Sequence, residues 1–138
     1  MIRKRFPDRA KAEGIVATAE KNISAIERLE IDSITGPLIT STIYESFRML
    51  GDALLTAEGF ETEGKDHHSE MIGRLMQLKV NANRSLLVLD ELRRKRNKIN
   101  YDGYLPTQDE VKDVIAVKNS LWKPLLEEIK FVIKRQSF

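Results

Sequence analysis

Apolar residues recur along nearly the whole chain at intervals of three and four, and strict strand alternation is nowhere sustained. That spacing places each series on one face of a helix and constrains the fold more than any other feature of the sequence. From Ile15 the series Ala19, Ile23, Ile26 and Leu29 predicts a helix from about Asp8 to Ile31. Asp32-Ser33-Ile34-Thr35-Gly36-Pro37 then mixes turn formers with capping residues, and Pro37 suits the first turn of a second helix. Its buried side is expected to carry Leu38, Ile39, Ile43, Phe47, Leu50 and Leu54, with Gly59 as a left-handed stop. The segment Glu61-Thr62-Glu63-Gly64-Lys65-Asp66 has no apolar residue and reads as a loop.

A short third helix holds Met71, Ile72, Leu75 and Met76, and Asn81-Ala82-Asn83 interrupts the pattern. The fourth takes Leu86, Leu87, Leu89, Leu92 and Ile99 and ends near Gly103. Thr107-Gln108-Asp109-Glu110 is a capping box, in which the threonine and glutamate side chains each take a free backbone amide of the other, and it opens the fifth helix. Val111, Val114, Leu121, Trp122, Leu125, Ile129 and Val132 carry that helix almost to the end, with a bend expected before Pro124. The fold class is therefore all-α: an antiparallel bundle of about five helices, four long or moderate and one short, forming a single domain over residues 1–138. Hydrophobic residues at 41% and charged residues at 32% are the balance of a folded globular chain.

Composition excludes several chemistries. With no cysteine there is no disulfide framework, no thiolate metal site and no cysteine nucleophile. No glycine-rich phosphate loop, HExxH pair, nucleophile elbow or EF-hand loop is present, so no motif calls for a metal or a cofactor. The basic start, Met1-Ile2-Arg3-Lys4-Arg5, lacks the apolar stretch of a secretion signal, and no apolar run nears the roughly 20 residues of a membrane span, which points to a cytoplasmic protein. His67 and His68 are adjacent, and neighbouring helical residues diverge by about 100°, so packing or capping is expected of them rather than joint metal binding.

The net charge of +2 is too small to imply a nucleic-acid partner, but the basic residues cluster in Arg93-Arg94-Lys95-Arg96-Asn97-Lys98-Ile99-Asn100-Tyr101-Asp102-Gly103-Tyr104. Arg94 and Lys95 each follow an acid by four residues, Asp90 and Glu91, and read as surface ion pairs. Arg96 has no acid three or four residues away on either side. Moreover the apolar seam of Leu86 and Leu89 continues at helical spacing into Arg93, Arg96 and Asn100, which turns polar groups toward the core or a partner. Inward charge demands a complement, either a carboxylate from elsewhere in the chain or a phosphate, for which the planar arginine fork is suited. The residues alone leave both open.

Arg96-Asn97 with Tyr101 at the fifth position after the arginine resembles the signature of HEPN domains (higher eukaryote and prokaryote nucleotide-binding), where an arginine is followed after four to six residues by a histidine. The passage from Ala53 to Phe60, the polar loop, and then His67-His68, Met71-Ile72 and Leu75 is similar to the second-to-third helix region of that family. The resemblance spans roughly residues 8 to 135. It implies a two-fold dimer with the arginine motif facing a cleft, no cofactor, and a common pairing with a minimal nucleotidyltransferase in toxin–antitoxin systems. It also implies metal-independent ribonuclease activity in many members, with the arginine stabilising phosphate and the histidine moving protons.

Here tyrosine stands where the family has histidine, and a phenol ionising near 10 is a poor base at neutral pH. Three readings follow. The first is a binding module in which Arg93, Arg96, Asn97, Asn100, Tyr101 and Tyr104 hold a nucleotide or RNA phosphate, or dock a nucleotidyltransferase. The second is an endoribonuclease in which Arg96 and Tyr101, helped by Asp102 or the His67-His68 pair, are catalytic. The third is a helical dimerisation protein whose arginines only make ion pairs.

Overall fold

The computed structural model describes residues 2–64 and 67–136. It is an all-α bundle with one small two-stranded sheet, in the order β1 (Ile2–Lys4), α1 (Arg9–Ile26), α2 (Thr35–Glu58), β2 (Phe60–Thr62), α3 (His67–Met76), α4 (Val88–Asp102) and α5 (Gln108–Arg135). The four longer helices run up, down, up and down. Across the α2–α4 seam Ser41 faces Asn100 and Glu45 faces Arg96, an antiparallel match, whereas Phe47 meets Trp122 of α5.

α2 is the central element. Ile39, Ile43, Phe47, Leu50 and Leu54 are fully buried along it, and α1, α3, α4 and α5 all pack against it. Its entry is an Asx turn in which the Asp32 carboxylate accepts from the amides of Ile34 and Thr35, both at 2.7 Å. Those two bonds, Thr35 first, hold the Asp32 carboxyl below its usual range. Gly59 ends the helix in the left-handed conformation, φ 87°, where a side chain would also collide with the Arg5 backbone.

α5 begins with the expected capping box, both bonds of Thr107 and Glu110 being formed, and continues unbroken through Pro124 to Arg135. α3 lies directly on α2 because Gly51 has no side chain. A β-carbon there would overlap the Met71 carbonyl oxygen and come within 2.7 Å of its carbon. At the far end of this contact Arg74 donates two parallel bonds to Glu58, at 2.8 and 2.7 Å.

Several boundaries differ from the sequence expectation. α1 stops at Ile26 rather than near Ile31, and Leu29, which continues the helical spacing, is exposed in the turn that follows. Leu38 and Leu87 point to solvent, and α4 starts only at Val88. Part of the expected loop is a strand: β2 pairs antiparallel with β1, with Ile2 opposite Thr62, Arg3 opposite Glu61 and Lys4 opposite Phe60. The glycine turn sends the chain straight back into extended backbone, and opposite charges hold the ribbon together, Arg5 reaching Glu61 at 2.6 Å and Arg3 reaching Glu63 at 3.6 Å. Lys65 and Asp66 of that loop lie outside the described residues.

Candidate functional site

The polar continuation of the α4 seam does turn inward. Arg96 has only 13% of its side chain exposed, and the carboxylate it meets is Glu45, 3.3 Å away on α2. Its other terminal nitrogen donates to the side-chain oxygen of Asn97 at 3.3 Å. The guanidinium carbon lies 5.3 Å from the centre of the Tyr44 ring and 5.8 Å from that of Tyr101, within the range of cation–π attraction.

Glu45 serves a second arginine as well. Arg48, one turn further along α2, donates to its other oxygen at 3.0 Å, so two guanidiniums share one carboxylate. Several polar atoms here are buried with no hydrogen-bond partner: the Nε of Arg96, the hydroxyl of Tyr44 and, one turn before it on α2, the hydroxyl of Thr40. Burial, and then the nearby Glu45 charge, raise the Tyr44 phenol to about 12, so it is a neutral donor at any physiological pH.

α3 brings the imidazoles to the same place. His68 lies 6.0 Å from the Tyr44 ring, and His67 stacks on it with ring centres 4.3 Å apart and planes within 11°. Although successive helical residues diverge at the backbone, these two side chains fold back upon each other. Desolvation is the main cause that lowers the His68 pKa to about 4, followed by Arg48, His67 and, more weakly, Arg96, against the opposing pull of Glu45. The ring is therefore uncharged near neutrality. Among the described residues no group of three or more histidine, aspartate and glutamate side chains could hold a metal ion.

The other residues singled out from the sequence divide. Arg93 is half-buried and bonded to Asp90 at 3.0 Å, and Arg94 reaches the same carboxylate at 3.1 Å. Lys95 pairs with Asp113 of α5 at 3.5 Å rather than with Glu91, reaching across to a helix that Arg84 also meets through the same carboxylate. Asn100 is exposed and accepts from Ser41 at 3.3 Å. Tyr101 is 75% exposed beside Arg96. Asp102 ends α4 at the surface. Tyr104 is turned away from the cluster, its hydroxyl bonded to Glu110 of the capping box.

The structure thus gathers Arg96, Asn97, Tyr101 and His68, all named from the sequence, with Tyr44, Glu45 and Arg48, three residues of α2 that reasoning from the α4 motif did not place in the site. A signal for the α2 half does exist: Tyr44 and Arg48 form an i, i+4 pair beside the apolar Ile43–Phe47 stripe, a polar seam next to a buried one. No family model matches the chain, and a search of curated proteins and of solved structures found no match. The chemistry of the site itself is therefore what bears on function.

Proposed function

We propose that this chain is a HEPN-like helical module that works as a two-fold dimer and holds the phosphate of RNA or of a nucleotide at Arg96. In this reading Arg48 and Arg96 bind phosphate oxygens, Asn97 steadies the Arg96 fork, and the exposed Tyr101 ring stacks on a base or donates to the phosphate. A minimal nucleotidyltransferase is the corresponding protein partner, and the chain is then the toxin component of a toxin–antitoxin pair.

The observation that carries the proposal is the sharing of one carboxylate by two part-buried arginines, which leaves one positive charge and a buried Arg96 Nε without a complement. Pairing of two copies is supported by the exposed Leu38, one turn before Ser41, and the exposed Tyr101, next to Asn100, which together flank the site where α2 begins and α4 ends.

Single-stranded RNA titrated in chelator at rising salt tests the reading. Affinity is expected to fall as salt rises, since bound arginines displace condensed cations, and to drop at least tenfold with Arg96→Ala. RNA binding that Arg96→Ala leaves unchanged would remove it.

One observation favours a second reading, a metal-independent endoribonuclease: His68 is a neutral imidazole placed against Tyr44 beside the Arg96 cluster and is chemically able to accept a proton. The binding reading expects intact RNA after incubation in chelator. Cleavage that disappears with Arg96→Ala would decide for the enzyme.

A further inference from the structure

The buried face of α5 runs through Val111, Val114, Leu121, Leu125, Ile129 and Val132 at helical spacing. Lys118 occupies the step between Val114 and Leu121, with only 8% of its side chain exposed. A lysine there loses hydration at a cost that a methionine of similar length does not have, and such breaks with the local pattern gather at functional positions. Its ammonium has three donors, and its one partner among the described residues is Glu27, 2.9 Å away at the end of α1. Glu27 is 52% exposed, so this carboxylate is free to turn into solvent while Lys118 stays buried.

The same lysine lines an open cavity of about 450 Å³ between α1 and α5, a size that suits a small molecule. Ile23, Trp122 and Leu126 give it apolar surface, and Ser24 and Asn119 stand at its rim. Of its charged lining groups, Glu27 is matched by Lys118 and Glu20 by Lys130, whereas Lys123 makes no ion pair among the described residues. We propose that this cavity binds a small apolar monocarboxylate, whose carboxylate takes the spare donors of Lys118 and whose body lies against Ile23, Trp122 and Leu126. One negative charge is what Lys123 balances, and a second would go unmatched. A neutral ligand would leave the buried donors unused. The cavity lies apart from Arg96, on the side of α2 where Phe47 meets Trp122, so it stands or falls independently of the phosphate reading.

Trp122 is the only tryptophan of the chain, and its indole N–H therefore gives a single signal in a nitrogen–proton NMR spectrum that reports on this cavity. Octanoate is the probe, compared at neutral pH with octan-1-ol and octyl phosphate, which carry the same chain on a neutral and on a more highly charged head. Octanoate should move the indole signal saturably, binding at least tenfold more tightly than the alcohol and at least threefold more tightly than the phosphate. Lys118→Met, which keeps the apolar stem, should weaken octanoate at least tenfold. Glu27→Gln, which releases the ammonium, should strengthen it at least threefold, a gain that a purely structural ion pair does not produce; this variant also decides the matter if Lys118→Met does not fold. No saturable movement at about 10 mM octanoate, in the parent or in Glu27→Gln, would overturn the site. Alcohol binding as tight as octanoate, or octanoate affinity indifferent to both substitutions, would reduce the cavity to an apolar crevice and Lys118 to a link between α5 and the end of α1. Tighter binding of octyl phosphate would overturn the choice of a carboxylate.

Discussion

Arg96 and Glu45 meet at 3.3 Å although 51 positions of sequence separate them, and Glu45 is simultaneously bonded to Arg48. The sharing makes the two partners unequal. With Arg96→Ala the carboxylate keeps its bond to Arg48, so unfolding free energy should change by less than about 1 kcal/mol. With Glu45→Gln two half-buried guanidiniums face each other without a counter-charge, and a loss of about 1 to 3 kcal/mol is expected. Urea denaturation of both variants checks this, and the reverse order would make Arg96 a structural ion-pair residue.

Leu89 lies on the same α4 seam two turns earlier and is completely buried. Leu89→Ala should cost about 2 to 5 kcal/mol through lost transfer energy and the cavity left behind. A denaturation midpoint within error of the unaltered protein would contradict the packing of α4 described above.

Gly51→Ala has a different character, because the obstacle is backbone. The new methyl group and the Met71 carbonyl cannot occupy the same space, so α3 must move off α2. The expected cost is about 1 to 3 kcal/mol. The His68 ring should also lose its Tyr44 contact, visible as an NMR pKa rising toward the ordinary histidine value. Unchanged His68 titration in Gly51→Ala would contradict the close approach.

Acid should weaken the fold in two stages. The folded-state pKa of His68, about 4, is below the ordinary 6.5, so the unfolded chain binds the extra proton first. The stability this represents is complete above pH 6.5 and is lost as pH falls toward 4. Its size is on the order of 1 kcal/mol once solvent screening of the part-exposed ring is allowed for. Asp32 and Glu110, whose carboxyls are held low chiefly by the Thr35 and Thr107 amides, contribute their loss at lower pH. Comparing His68→Gln with the parent between pH 7 and 4 isolates the first stage, and parallel curves would refute it.

Much of the bundle was legible because its signals are local. The Thr107–Glu110 box and the glycines at 59 and 103, both left-handed, act within four residues of themselves, and the apolar faces need only the helical repeat. Non-local features were not legible. Pairing of Ile2–Lys4 with Phe60–Thr62 joins three-residue segments too short to show alternation. Leu29 and Leu38 keep the helical spacing where it no longer buries anything, since the Asx turn at Asp32 redirects the chain between them.

The site divides in the same way. Arg96 drew attention because it has no acid within a turn of its own helix. Glu45 and Arg48 drew none, since at three residues apart they satisfy each other and resemble a surface pair. His68 enters through the close contact at Gly51, which no periodicity reveals.

α2 presents Ile43, Phe47 and Leu50 to the core and, on the adjoining face, Tyr44, Glu45 and Arg48 to the cluster. Any molecule that engages Arg48 therefore grips the rod on which every other helix leans. Occupancy of the cluster must then appear as resistance of the whole chain to heat, growing with the logarithm of ligand concentration, so that a melting curve alone suffices to screen for what the cluster holds.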